Sequence, residues 1–260
     1  MSSFWSRIVI AAAGIPLVLW ILYLGGWPLF GLALVAALFA LHELYWMTRA
    51  LRPVVLAGYL GAIGTLLGAE LGGADWALAG LFLTLAFAFV FKGSVSSASV
   101  GVTVLGVVWI AVGLAHALLL RDIDEHGVLA IYTVILAVWA GDAGAYFIGL
   151  LFGRHKLAPT VSPGKTWEGL AAGTVATIGV TFVTLYKQGF LSIPESLALG
   201  AVIAFAAPLG DLFESALKRD VEVKDSGRLL GGHGGVLDRI DALLFAWVAA
   251  YYVIAAFGQL

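Results

Sequence analysis

The chain has 260 residues, 62% of them hydrophobic and 12% charged, with a formal net charge of −2. Soluble domains run to about 45–50% apolar and about 25% charged residues, so this sequence lacks the polar surface of a water-soluble fold and the bilayer is its expected solvent. The near-neutral charge offers no argument for a nucleic-acid partner, and the absence of cysteine excludes a disulfide framework and thiol chemistry.

Apolar runs in chain order predict an all-α polytopic membrane protein with about nine transmembrane helices. They lie at 8–24, 27–47, 54–71, 76–91, 100–120, 128–152, 170–186, 196–217 and 242–260. Several are near the ~20 residues that cross a ~30 Å hydrocarbon core as helix. The first run follows Arg7 and leads straight into the second, without the short core and cleavage site of a signal peptide, so it reads as a retained span. Residues 1–127 form an N-terminal set of about five spans. Residues 128–260 form a C-terminal set whose loops carry the chemistry.

The loops orient the chain. With the N-terminus in the cytosol, twelve of the fourteen basic residues fall on the cytoplasmic side, leaving only Arg121 and Lys187 outside. That is the asymmetry of the positive-inside rule. It predicts a multi-pass protein of the inner (cytoplasmic) membrane. Trp27, Trp76 and Trp167 fall near span ends, where an aromatic belt would place them.

Asp142 lies within the sixth predicted span, and Asp211 and Glu214 lie within the eighth. An intramembrane carboxylate is costly, so it usually faces a cavity and serves a function. Asp211, Glu214, Ser215 and Lys218 follow i, i+3, i+4, i+7 spacing and share a helix face. Pro208 and Gly210 suggest a kink and loose packing that would open a polar pocket there. Asp238 and Asp241 are also i, i+3, at the start of the ninth span. They can present oxygens to a hard divalent cation such as Mg²⁺.

Between these acids runs a cytoplasmic loop rich in cations and glycines: Lys218, Arg219, Lys224, Arg228, His233, Gly234, Gly235 and Arg239. Glycines let backbone N–H groups turn toward an anion, and lysines and arginines pair with phosphates. A plain lipid-binding basic loop would need neither the glycines nor the flanking acids. Acids, cations and glycines together make a metal–polyphosphate site. A second loop, 153–168, offers Ser162, Lys165 and Thr166 for phosphate or ribose, or alternatively a Ser-Pro turn and a helix-capping Thr166.

The run Ser215-x-Leu-Lys218-Arg219-x4-Lys224-Asp225-x-Gly227-x2-Leu230-Gly-Gly-His233-Gly234-Gly235-Val-x-Asp238-Arg239-Ile-Asp241 covers 27 residues. It resembles the signature of the phosphatidate cytidylyltransferase (CDP-diacylglycerol synthase) family. Asp142-x-Gly-Ala-Tyr146 and Ser162-Pro-Gly-Lys165-Thr166-x-Glu168-Gly169 resemble further segments of that family. Gly164 stands where a second lysine is usual, and Gly231 where proline is frequent. The resemblance implies transfer of a cytidylyl group from CTP to phosphatidate, with Mg²⁺, and a monovalent cation such as K⁺ sharing the site. It also implies a homodimer with its active site facing the cytosol. It makes Asp211, Asp238 and Asp241 the metal-binding acids. Lys218, Arg219 and Lys224 would act beside them on the leaving diphosphate. Ser162, Lys165, Thr166, Ser215, Arg228, His233, Gly234, Gly235, Arg239 and Asp142 would contact substrate.

Two other readings fit part of the pattern. A CTP-dependent enzyme acting on an isoprenoid lipid would need the same loop. An ion-coupled transporter would use Asp142, Asp211 and a Pro-interrupted span, yet leave the glycine-rich basic loop unexplained.

Overall fold

Helix dominates the computed structural model, which describes residues 3–92, 96–227 and 234–260. Helix α1 covers Ser3–Leu24, α2 Gly26–Met47 and α3 Val55–Lys92. A continuous helical segment follows, made of α4 (Ser97–Gly106), a π-helical turn (Val107–Ala111) and α5 (Val112–Arg121). Then come α6 (Gly127–Phe152), strands β1 (Lys156–Ala158) and β2 (Ser162–Thr166), α7 (Trp167–Leu185), α8 (Ile193–Asp220) and α9 (Leu237–Ala256). Among the described residues, seven helices are long and apolar enough to cross a membrane: α2, α3, Ser97–Arg121, α6, α7, α8 and α9. The protein is a multi-pass membrane protein.

The chain forms two compact units. The first holds Met1–Asp122 with Val221–Ile240; the second holds Ile123–Asp220 with Asp241–Leu260.

In the first unit, α3 is not a rod. Its 38 residues would extend about 57 Å as one helix, nearly twice the hydrocarbon thickness. At Gly73 the backbone turns to φ 75, ψ −161, a region that essentially only glycine occupies. The chain then folds back on itself. A Cβ at Gly61 would collide with Thr84, one at Gly68 with the backbone of Trp76, and one at Gly80 with Thr65. These pairings run in opposite order along the two arms, so the arms are antiparallel and touch through small residues. The two predicted runs 54–71 and 76–91 are these arms. No neighbouring atom would obstruct a Cβ at Gly73, so Gly73→Ala isolates the backbone effect. It is expected to destabilise the hairpin by about 1–3 kcal/mol, seen as a lower thermal midpoint in detergent. An unchanged midpoint would contradict the turn.

Local capping sets several helix starts. Ser96 accepts from Ser99 N at α4, and Ser192 N donates to Glu195 Oε2 at 2.7 Å just before α8. At the C-terminal end of α1, Arg121 donates through Nε to Leu22 O at 2.9 Å and through Nη2 to Tyr23 O at 2.7 Å, satisfying carbonyls the helix leaves open.

In the second unit, α6 and α7 pack through a seam of small residues. A Cβ at Gly141 would strike Thr177 Oγ1. One at Gly169 would lie 2.7 Å from Ala145 O, and one at Gly173 2.8 Å from Gly141 O. Such close backbone approach is the membrane substitute for a large hydrophobic core. Contrary to the sequence expectation, 153–168 is not a plain loop. β1 and β2 pair antiparallel, with Lys156 opposite Thr166 and Ala158 opposite Ser162. Glu168 ties this hairpin down: it accepts from the backbone N–H groups of Arg154 (3.2 Å) and His155 (3.3 Å), and pairs with His155 Nδ1 at 2.6 Å.

Helix α8 also departs from expectation. It continues through Pro208 without interruption, and Gly210 does not pack loosely. A Cβ there would lie 2.5 Å from Asp241 O and 3.1 Å from Ala242 Cα. Gly210 allows α8 and the second unit's part of α9 to come into close contact.

Candidate active site

The second unit contains a cavity of about 740 Å³ between α6, α7, α8 and the β-hairpin. This lies within the roughly 300–1,000 Å³ range of small-ligand sites. Its wall combines the glycines of the α6–α7 seam, apolar Leu150, Leu157 and Leu170, and the polar group Asp142, Ser162, Lys165, Thr166 and Asp211. Five residues singled out in the sequence thus converge on one cavity. They come from three separate parts of the chain.

Asp211 is the hub. Lys165 Nζ lies 2.7 Å from its Oδ2, and Ser215 Oγ donates to its Oδ1 at 3.3 Å, one helical turn on. Lys165 reaches Asp211 from β2, a strand far from α8 in the chain. Asp142 lies within electrostatic reach of both Asp211 and Lys165. Two acids and one ammonium leave this group with a net negative charge that a cation would offset. Thr166 lines the same cavity, and its Oγ1 accepts from Gly169 N at 3.1 Å, capping α7.

A second acid group stands on the same helix. Lys218 Nζ donates to Glu214 Oε2 at 2.8 Å, confirming the shared face of α8. Glu214 and Asp241 are both buried, at 1% and 8% exposure. Asp211 and Lys218 lie within electrostatic reach of Asp241. Spacing alone puts Glu214 on this face, and its burial beside Asp241 adds it to the acid group. Arg219 is exposed, and its Nε donates to Val161 O at 3.2 Å, bracing the hairpin turn.

Hard carboxylate oxygens suit Mg²⁺, which takes one or two protein carboxylates when substrate phosphates complete its shell. Among the described residues no three His, Asp or Glu side chains gather into a dedicated cage. Asp211 and Asp241 therefore fit a cation that arrives with a polyphosphate, and the donor chemistry is right for Mg²⁺.

The remaining predicted residues belong to the first unit. Lys224 and Arg239 are exposed. Asp238, in the first turn of α9, has its Oδ2 held by Ser226 N (3.1 Å), Ser226 Oγ (2.9 Å) and Gly235 N (2.8 Å). Gly234 sits at φ 80, and a Cβ there would lie 2.8 Å from Asp238 Oδ2. The glycines at 234 and 235 thus allow the backbone to close on a carboxylate. Arg228 and His233 lie outside the described residues.

Sequence reasoning missed Glu43. This α2 residue is 5% exposed, and its carboxylate accepts from Val236 N (3.0 Å), Leu237 N (2.9 Å) and Ser226 Oγ (3.1 Å). An acid inside an apolar run was the available signal.

The sequence model of the cytidylyltransferase family matches residues 5–257. The chain is 37% identical over 183 residues to the phosphatidate cytidylyltransferase of Bacillus subtilis, covering 70% of this chain and 68% of the relative. It is 33% identical over 249 residues to the enzyme of that name from Staphylococcus haemolyticus, covering 92% and 94%. It is also 33% identical over 237 residues to that of Staphylococcus aureus, covering 86% and 89%. A match over nearly the whole length, on a multi-pass helical chain with an acid-and-lysine cavity, has one meaning: this chain belongs to the cytidylyltransferase family.

Proposed function

We propose that the chain transfers the cytidylyl group of CTP to phosphatidate, forming CDP-diacylglycerol for phospholipid synthesis and releasing diphosphate. The observation that carries this reading is the Lys165–Asp211 pair in the cavity of a chain matched by the cytidylyltransferase family from residue 5 to residue 257.

The lipid's phosphomonoester oxygen attacks the α-phosphorus of CTP. The bond from that phosphorus to the bridging oxygen breaks, and diphosphate leaves with the electron pair. A phosphate monoester is already a competent nucleophile near neutral pH, so the protein needs no strong base. Its task is positioning and charge compensation. Lys165 neutralises phosphate charge at the cavity while Asp211 fixes the lysine's direction. Lys218, Arg219 and Lys224 offset the leaving diphosphate. Ser162, Thr166, Ser215, Arg228, His233 and Arg239 supply hydrogen bonds to phosphate and ribose, Gly234 and Gly235 leave room for the backbone around Asp238, and Asp142 completes the cavity's polar wall. Asp211 and Asp241 would hold Mg²⁺, which would supply Lewis-acid neutralisation of the phosphates; the family resemblance adds Asp238 to these acids and K⁺ beside them.

Counting α1 and the two arms of α3 separately gives nine crossings, with residues 128–260 as the catalytic set. The bias of basic residues supports a cytosolic orientation of the active-site loops in a protein of the inner membrane. The family resemblance favours a homodimer.

Purified protein in detergent, given CTP with phosphatidate or an isoprenoid monophosphate, tests the substrate. Rapid CDP-diacylglycerol formation, abolished by a metal chelator and restored by Mg²⁺, is expected. Preference for the isoprenoid lipid, or turnover indifferent to chelation, would overturn the assignment.

A further inference from the structure

The first unit contains a buried acid that the reaction as described does not use. Glu43 lies in α2, in an otherwise apolar stretch, and is 5% exposed. Its partners are nearly two hundred residues away, and they come from both ends of one segment. Ser226 Oγ donates to Glu43 Oε2 from the end at Lys224–Gly227, at 3.1 Å. Val236 N and Leu237 N donate to its two oxygens from the end that begins α9, at 3.0 and 2.9 Å. The fit is close on both sides. A Cβ at Gly227 would lie 2.6 Å from Glu43 Oε1, and one at Gly235 would strike Oε2.

Ser226 also donates its N–H to Asp238 Oδ2, and its hydroxyl, with a single proton, lies 2.9 Å from that oxygen as well as 3.1 Å from Glu43 Oε2, so the two acids share it. Glu43 and Asp238 therefore share one serine and grip the same segment from two directions. Capping oxygens at Val236 and Leu237 satisfy N–H groups that the first turn of a helix leaves open, and a negative charge is favoured at that end. Elsewhere such caps come from the helix's own flanking residues. Here the cap is supplied by Glu43 of a distant membrane helix.

We propose that Glu43 is a positioning residue for the cytidylyl transfer: it clamps both ends of the glycine-rich segment and so orients Asp238 for the substrate phosphates. This rests on the reading that Asp238 takes part in the reaction. Glu43 itself touches no substrate. A carboxylate accepts at both oxygens, whereas an amide accepts at one and presents donors at the other. Glu43→Gln therefore keeps size and packing but breaks half of the clamp. Glu43→Asp keeps both acceptors on a shorter arm.

The test is steady-state kinetics of full-length Glu43→Gln, Glu43→Asp and Asp238→Asn in detergent, with the folded fraction of each measured by size exclusion and thermal unfolding. For Glu43→Gln the expected result is a loss of about 100-fold in kcat/KM for CTP per folded molecule, the scale of an ångström-sized misplacement, with KM for phosphatidate unchanged. Glu43→Asp should recover most of that loss. Glu43→Gln within twofold of wild type, or a loss matched by the loss of folded protein, would overturn the proposal. If Asp238→Asn is inactive while Glu43→Gln is normal, the clamp alone fails. If folded Asp238→Asn is fully active, the reading beneath it fails too.

Discussion

Asp211→Asn is expected to lower CDP-diacylglycerol formation by at least about 1,000-fold while leaving the protein folded. The substitution keeps shape but removes the charge that faces Lys165 Nζ at 2.7 Å. Three things are then lost together. The ammonium loses the partner that aims it into the cavity. The oxygen that receives Ser215 Oγ becomes an amide position. The acid set facing Asp241 loses a hard ligand for Mg²⁺. Charge placement of this kind typically supplies several kcal/mol to a phosphate-transfer barrier, and each 1.36 kcal/mol is a factor of ten in rate. Stability should change little, because Asp211 is half exposed to the cavity and ion pairs so placed contribute about 0–1 kcal/mol. The measurement is specific activity beside the thermal midpoint. An active Asp211→Asn enzyme would remove Asp211 from the centre of the account.

Gly210→Val is expected to damage both stability and activity. A Cβ at this position lies 2.5 Å from Asp241 O and 3.1 Å from Ala242 Cα. Those are backbone atoms, which cannot rotate away as a side chain can. The helices must separate, and overpacking of this sort costs about 1–3 kcal/mol, with valine's second branch adding crowding. The midpoint in detergent should fall by about 3–10 °C. Separation also moves Asp241 away from Asp211, so the enzyme that remains folded should lose about 100-fold in kcat and need more Mg²⁺ to reach half its maximal rate. Gly210→Ala should show the same effects in smaller measure. Wild-type stability and rate in Gly210→Val would mean that the two helices do not meet where the structure has them.

These two residues also show what was legible in the sequence. Asp211 could be found because a carboxylate inside an apolar run is rare and costly, and because Glu214, Ser215 and Lys218 repeat it at helical spacing. Its partner could not. Lys165 reaches Asp211 from a strand in another part of the chain, and no local pattern encodes that meeting. Gly210 was visible but misread: in water a glycine after a proline suggests a loose bend, whereas between membrane helices it permits contact. The turn at Gly73 registered only as a gap between two apolar runs. β1 and β2 left no alternating pattern, since Pro163 and Gly164 interrupt the strand. Glu43 shows the limit most plainly. One acid in an apolar run says that it has a partner, and nothing in the run says that the partner is the start of α9.

The central claim is that a cytidylyl group, and not a terminal phosphate, moves to the lipid. Parallel reactions of the purified enzyme with phosphatidate and CTP labelled at either the α- or the γ-phosphate test it most directly. The expected result is that α-label enters the lipid product in equal amount to the diphosphate released, that γ-label leaves entirely as diphosphate, and that Asp211→Asn does neither. Gamma-label in the lipid would make the protein a kinase and contradict the account.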